Sequence, residues 1–136
     1  MAVKIVLMVM DDDVLFGSLR ESLAAQSPDI ELVNAPTAQR ALGMMELTLP
    51  AVLVVDADMT GDDAYAFTQQ IKTTATTSKI PIVLIALEPN EAAALKARQA
   101  GASAYLPSAG PVDALVGKIV SLATPGAERG LSPGSW

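Results

Sequence analysis

The chain has 136 residues, of which 51% are hydrophobic, so it is long and apolar enough to fold around a single core. It has no cysteine and no histidine, which excludes disulfides, thiolate or imidazole metal ligation, and mechanisms that use histidine as the base. Its net charge of −6, with scattered Lys and Arg, argues against nucleic-acid binding by this domain. The sequence shows neither a membrane-spanning apolar run nor a signal-peptide pattern, so we expect a cytoplasmic domain with no membrane contact.

Apolar runs alternate with helical patterns from one end of the chain almost to the other. In chain order we predict a strand at 3–10, a helix from 14 that stops at 27–28, a strand at 30–33, a helix at 37–47 and a strand at 51–56. We then predict a helix from 62 or 63 through 71, a strand at 80–87, a helix at 90–100 that Gly101 ends, a strand at 104–106 and a helix at 111–123. Helical spacing gives these expected core positions: Leu15, Leu19, Leu23, Ala41, Leu42, Met44, Met45, Val112, Leu115, Val116, Ile119 and Leu122. The pattern of the third helix is Ala66, Phe67, Gln70 and Ile71, which recur at helical spacing.

Five strands in strict alternation with five helices predict an α/β fold with a parallel sheet and helices on both faces. We expect one domain over residues 1–123. Residues 124–136 are rich in Gly, Pro and Ser and are predicted to be a linker or tail that includes Trp136.

Acidic residues follow two of the buried strands. Asp11, Asp12 and Asp13 come directly after the first strand, and Asp56 and Asp58 come at the end of the third. Because the carboxyl ends of parallel strands form the ligand edge of an open sheet, these residues predict a site for a hard cation and phosphoryl chemistry. One of the first three is expected to cap the following helix, and we assign that role to Asp13.

The order and spacing of four segments make the chain resemble the receiver domain of two-component response regulators, over roughly residues 4–122. The segments are Val9-Met10-Asp11-Asp12-Asp13, Asp56-Ala57-Asp58-Met59, Ile80-Pro81-Ile82-Val83 and Ala100-Gly101-Ala102-Ser103-Ala104-Tyr105-Leu106. The resemblance implies a flavodoxin-like (βα)5 fold with strand order 2-1-3-4-5.

The resemblance also implies residue roles. Asp56 matches the aspartate that accepts a phosphoryl group. Asp11 and Asp12, with Asp56 and the backbone carbonyl of Asp58, match the ligands of a Mg²⁺ ion. Tyr105 matches an aromatic residue that changes rotamer on activation in some receivers.

Two functional positions of the family pattern are missing. The Thr or Ser expected at the end of the fourth strand is Ala86, and the Lys expected after the fifth strand is Ser108. Each missing contact to a charged group is worth roughly 1.5–3 kcal/mol, against about 5.5 kcal/mol needed to move a two-state switch from mostly off to mostly on. We therefore expect that Asp56 still accepts a phosphoryl group while the usual switch is weak or replaced.

By the same resemblance, the partner is a sensor histidine kinase or a phosphotransfer protein, and a homodimer can form through the face of the fourth helix, fifth strand and fifth helix. The chain is not expected to be a turnover enzyme, although self-phosphorylation from a small phosphodonor is possible.

Two alternatives stay open. A pseudo-receiver would keep the fold and bind partners without phosphorylation, which Ala86 and Ser108 favour and the intact Asp11, Asp12 and Asp56 oppose. Residues 56–60 also fit the DxDxT nucleophile motif of haloacid-dehalogenase-like phosphatases, but the Lys and the second acidic pair that this class needs on later strands are missing.

Overall fold

The computed structural model describes residues 3–59, 61–109 and 111–123. Its strands are β1 (Lys4–Val9), β2 (Ile30–Ala35), β3 (Val52–Asp56), β4 (Ile82–Ala86) and β5 (Ala104–Pro107). Its helices are α1 (Asp13–Gln26), α2 (Ala38–Leu47), α3 (Ala64–Thr73), α4 (Glu91–Ala100) and α5 (Val112–Ala123). The strands form one parallel sheet in the order β2-β1-β3-β4-β5, so the predicted fold class and strand order are confirmed.

The sheet separates two apolar layers. Consecutive side chains along each strand point to opposite faces of the sheet. Val6, Val54 and Ile85 face α1 and α5, while Leu7, Leu53 and Leu84 face the other helices. The central strands are buried on both faces, which explains their continuous apolar sequences.

The helix faces agree with the predicted periodicity except in α3. The buried positions of α1 and α5 include Leu19, Leu23 and Ile119, as expected. In α3, only two of the four residues at helical spacing, Phe67 and Ile71, are buried, whereas Ala66 and Gln70 are exposed. The buried face of that helix is instead Ala64, Phe67, Thr68 and Ile71, and Thr68 can be buried because its hydroxyl donates to the Ala64 carbonyl at 2.8 Å.

Several predicted boundaries shift. β2 continues through Ala35, whose register partner is Val9, so it is longer than predicted. β4 starts at Ile82 and not at residue 80, because the Ile80 N–H donates to the Thr77 carbonyl in the preceding turn. Within the described ranges, no helix is long and apolar enough to cross a membrane. The predicted tail at 124–136 lies outside the described residues.

β2 and β5 are the two edges of the sheet. Glu31 on β2 is exposed, Pro36 follows that strand directly, and Pro107 is the last residue of β5. Both edges therefore carry residues that interrupt further strand pairing.

Candidate functional site

Asp56 is the last residue of β3, at the carboxyl edge of the sheet between β1 and β4. Its carboxylate is partly buried, and its Oδ1 accepts a hydrogen bond of 2.9 Å from the Asp58 N–H. The pKa of Asp56 is raised above its ordinary value, first because burial disfavours the charged form, and then because the charges of Asp58, Asp11 and Asp12 repel it, while the Asp58 N–H opposes the shift. The predicted acidic residues thus act on one another across two strand ends.

Asp11 and Asp12 follow β1 and are exposed. Asp12, and not Asp13, caps α1: its Oδ1 accepts from the N–H groups of Val14 at 3.0 Å and Leu15 at 3.2 Å. The assignment of the cap to Asp13 was wrong, because that residue is already the first residue of the helix and Asp12 has the extended backbone that a cap requires. One oxygen of a predicted metal ligand is therefore engaged in holding the start of α1.

The donor set suits a hard cation in its chemistry. All the candidate ligands are oxygens, and like-charge repulsion at Asp56 is the kind of strain that a bound cation relieves. In the part of the chain that the structure describes, however, no three acidic side chains converge into a ready-made metal-binding cluster. The assignment of Asp11, Asp12, Asp56 and the Asp58 carbonyl to Mg²⁺ stays a prediction.

The Asp58 side chain has a role that the sequence did not reveal. Its Oδ2 accepts a 2.7 Å hydrogen bond from the N–H of Leu87, the first residue after β4. The two residues are 29 positions apart, so this is a tertiary contact and no local turn motif announces it. The bond ties the loop after β3 to the loop after β4, directly beside Asp56.

A second acidic residue of the same loop also reaches another element. Asp62 Oδ2 accepts from the N–H of Ala38, the first residue of α2, at 3.3 Å. Asp63 is the N-cap of α3, accepting from Tyr65 at 3.0 Å and Ala66 at 3.2 Å. The interpretation of this pair as helix caps is correct for Asp63, whereas Asp62 connects the loop to the neighbouring helix.

The positions that depart from the family pattern lie together at the ends of β4 and β5. Ala86 is buried and offers no side-chain donor, and its carbonyl accepts a 2.8 Å hydrogen bond from the Ser108 N–H. The edge of the sheet beside Asp56 therefore has neither a hydroxyl on β4 nor an ammonium group after β5.

Tyr105 on β5 is partly buried and belongs to a group of three residues that we call the tyrosine cluster: Tyr65 on α3, Lys96 on α4 and Tyr105. The Lys96 ammonium lies 4.5 Å from the centroid of the Tyr65 ring. The pKa of the Tyr65 hydroxyl is raised, first because burial disfavours its charged form. The electrostatic interaction and the hydrogen bond with Tyr105 raise this pKa further, and so do the negative charges of Asp58 and Asp63. Asp58 thus lies close enough to the cluster to act on it electrostatically.

Residues 6–119 match the family described as response regulator receiver domain. The chain belongs to the receiver domain family of response regulators. The receiver fold, and a place in two-component signalling, follow from that membership.

Similar proteins agree with this assignment. The chain is 31% identical over 140 residues to a protein-glutamate methylesterase/protein-glutamine glutaminase of Nocardioides sp. (strain ATCC BAA-499 / JS614). That match covers 93% of this chain but only 37% of the relative, so the chain spans little more than a third of that protein.

Solved receiver structures share the fold. A response regulator from Chloroflexus aurantiacus J-10-fl superposes with a TM-score of 0.78 at 24% identity, over 89% of this chain and 98% of that one. The receiver domain of a DNA-binding response regulator from Colwellia psychrerythraea 34H gives a TM-score of 0.81 at 20% identity, over 88% and 97%. β4 is followed by Leu87-Glu88-Pro89 and β5 by Ser108, so neither strand end carries the Lys or the second acidic pair that the phosphatase alternative needs. The match to the receiver family accounts for the acidic strand ends.

Proposed function

We propose that Asp56 accepts a phosphoryl group from a sensor histidine kinase or a phosphotransfer protein, with a divalent cation bound among Asp11, Asp12, Asp56 and the Asp58 carbonyl. The observation that carries this proposal is the placement of Asp56. Its carboxylate ends a central strand, is only partly buried, and interacts electrostatically with Asp58, Asp11 and Asp12. Receivers as a class work with kinases and phosphotransfer proteins, which supplies the partner class.

The chemistry needs one nucleophilic oxygen of Asp56. That oxygen forms a bond to phosphorus while the bond from phosphorus to the donor nitrogen of a phosphohistidine breaks, and the leaving imidazole keeps the electron pair and takes up a proton. The second Asp56 oxygen is held by the Asp58 N–H at 2.9 Å, which fixes the orientation of the carboxylate. The product is an acyl phosphate on Asp56.

A Mg²⁺ ion bound here would supply charge compensation between the carboxylates and the incoming phosphoryl oxygens. The residues contribute oxygen ligands of the type that Mg²⁺ prefers, and Asp12 keeps α1 anchored at the same time.

A direct test is incubation with acetyl phosphate and Mg²⁺, followed by intact-mass spectrometry. We expect a hydroxylamine-sensitive increase by the mass of one phosphoryl group in the wild type and none in Asp56→Asn. EDTA in place of Mg²⁺ serves as the second control. The proposal would be contradicted if Asp56→Asn were modified. It would also be contradicted if neither acetyl phosphate nor a phosphorylated kinase modified the wild type.

The rival is a pseudo-receiver that acts through protein contacts without phosphorylation. Ala86 and Ser108 favour it, because they stand where the family pattern has the Thr or Ser and the Lys that contact a phosphoryl group. Absence of both Mg²⁺ binding and modification at Asp56 would support this rival. Modification at Asp56 without any structural response would support phosphoryl acceptance that is not coupled to a conformational change.

For the larger assembly, we propose a homodimer through α4, β5 and α5. Two leucines at this end of the domain, Leu87 and Leu95, are 62% and 52% exposed.

The methylesterase and glutaminase activities named for the Nocardioides relative belong to that protein. For this chain we propose the receiver step alone, with no turnover catalysis, no nucleic-acid binding and a cytoplasmic location.

A further inference from the structure

We propose that the Asp58 carboxylate is a positioning residue that takes over the connection which a hydroxyl at position 86 would otherwise make. In this proposal, Asp58 holds the loop after β3 to the end of β4 through Leu87 until an anion at Asp56 displaces it. The displacement then changes the tyrosine cluster. This inference rests on the proposed phosphoryl acceptance at Asp56, and its experiment separates the two.

Leu87 lies where the pairing between β3 and β4 ends. Asp56 lies opposite Ile85 in the β3–β4 register, and the Ala57 N–H donates to the Ile85 carbonyl at 2.7 Å. Leu87 comes two residues after Ile85, and here the donor is on the β4 side: the Leu87 N–H donates to the Asp58 side chain at 2.7 Å. Asp58 therefore closes the gap between two strand ends where backbone pairing has stopped.

A phosphoryl group on Asp56 would compete with Asp58 for backbone N–H donors. A phosphoryl group on Asp56 replaces the single charge of the carboxylate with about two negative charges and brings three acceptor oxygens to this edge. Two backbone N–H groups are placed there, that of Asp58 on Asp56 and that of Leu87 on the Asp58 carboxylate. Because Ala86 and Ser108 bring no side-chain donor of the usual kind, the Leu87 N–H is the donor that an incoming oxyanion can gain by displacing Asp58. Repulsion between the phosphoryl group and the Asp58 carboxylate favours the same displacement.

The loop after β3 that carries Asp58 is also tied to Tyr65, because the Tyr65 N–H donates to Asp63 at the end of that loop at 3.0 Å. The charge of Asp58 acts on the Tyr65 hydroxyl, which interacts with Tyr105 on β5 and belongs to the ring that Lys96 of α4 covers. Moving a negative charge away from Tyr65 alters the electrostatic environment of a cluster that joins α3, α4 and β5. Asp58 thus provides a physical connection from Asp56 to that face without the usual Thr and Lys.

We call the hydrogen bond from the Leu87 N–H to the Asp58 carboxylate the latch. Amide NMR tests the formation of this latch and its release separately. Without any phosphoryl analogue, Asp58→Ala should make the Leu87 amide exchange with solvent about tenfold faster, because it loses a hydrogen bond to a charged acceptor. Asp58→Asn keeps an acceptor oxygen and should retain much of that protection. Glu88→Ala is the matched control, because Glu88 is an exposed acid next to Leu87 that makes no hydrogen bond in the described part of the chain.

BeF₃⁻ with Mg²⁺ then tests the release. In the wild type, Leu87, Tyr65, Lys96 and Tyr105 should shift together. In Asp58→Ala, BeF₃⁻ should bind severalfold more tightly, because it no longer competes with an internal carboxylate, and the shifts at the tyrosine cluster should shrink. The Glu88→Ala protein should respond as the wild type does.

Three results would overturn the inference. Unchanged Leu87 exchange in Asp58→Ala would show that the latch does not operate in solution. A wild-type-sized response of the tyrosine cluster in Asp58→Ala would show that the signal does not pass through Asp58. If BeF₃⁻ shifts nothing in either protein, phosphoryl acceptance and release fail together, while the exchange data still report on the latch itself.

Discussion

At the scale of single residues, the acidic side chains at the sheet edge have different tasks although they look alike in the sequence. Asp56 is the proposed phosphoryl acceptor, Asp12 holds the start of α1, Asp58 joins two loops, and Asp63 starts α3. Their residue types and strand-end positions were predictable from local sequence. The Asp58 contact with Leu87 was not, because hydrogen bonds between residues far apart in the chain depend on how the sheet brings loops together.

The raised pKa of Asp56 predicts a stability difference. The folded protein binds this proton more tightly than the unfolded chain, whose ordinary value is 3.8, so the ionised group costs stability at neutral pH. We expect Asp56→Asn to raise the melting temperature at pH 7 in EDTA. The cost appears as the pH rises from 3.8 through the folded pKa, so the difference between the two proteins should vanish below about pH 3.8.

Thermal denaturation followed by circular dichroism across pH checks this expectation. Glu31→Gln removes a charge from an exposed position on β2 and serves as the control, with little change expected. Mg²⁺ should narrow the gap between the wild type and Asp56→Asn if it binds at Asp56. A lower melting temperature for Asp56→Asn at neutral pH would contradict the argument.

At the scale of elements, the alternation of strands and helices was predictable because each element has its own periodicity and its own end signals. The Thr37, Asp63 and Asn90 side chains cap helices where the sequence suggested, and Gly101 follows α4 in a left-handed conformation. Boundaries that depend on a partner were less predictable. β2, for example, extends to Ala35, which pairs with Val9 of β1.

Gly101 gives a prediction at this scale. Its φ is 102°, and a Cβ there would lie 2.9 Å from Lys72 Cγ, in a side chain whose Nζ donates to the Ile80 carbonyl. Gly101→Ala should therefore lower the free energy of unfolding by about 1–2 kcal/mol or more. Gly43→Ala is the matched control. Gly43 lies inside α2, and the Cβ that alanine would add there meets no neighbouring group within 4 Å, so the same substitution should raise stability by roughly 0.5–1 kcal/mol.

Urea denaturation of both variants measures these changes. Opposite signs for the two substitutions would support the backbone argument, since the chemical change is identical. Equal effects at both positions would contradict it.

At the scale of the whole molecule, the proposed dimer face predicts a concentration-dependent assembly. Leu95 on α4 is 52% exposed, and a dimer through α4, β5 and α5 would cover it. Leu95→Ser should weaken dimerisation of the BeF₃⁻-treated protein at least severalfold, because burial of a leucine contributes about 1.5–3 kcal/mol. Analytical ultracentrifugation with and without BeF₃⁻ makes the measurement.

Leu47 offers a control for this prediction. It is 88% exposed at the end of α2, on another part of the surface, so Leu47→Ser should leave the association constant unchanged. If Leu47→Ser weakened the dimer and Leu95→Ser did not, the contact surface would lie elsewhere.

The two edge strands have a consequence for how the protein behaves in concentrated solution. An open strand edge can recruit strands from other molecules, and such recruitment begins aggregation. β2 carries the exposed charge of Glu31 and is followed by Pro36, and β5 ends at Pro107, which has no N–H to donate. Both open sides of the sheet thereby resist the growth of intermolecular β-structure. The protein can keep its ligand edge exposed to partners without offering its lateral edges as templates for fibrils.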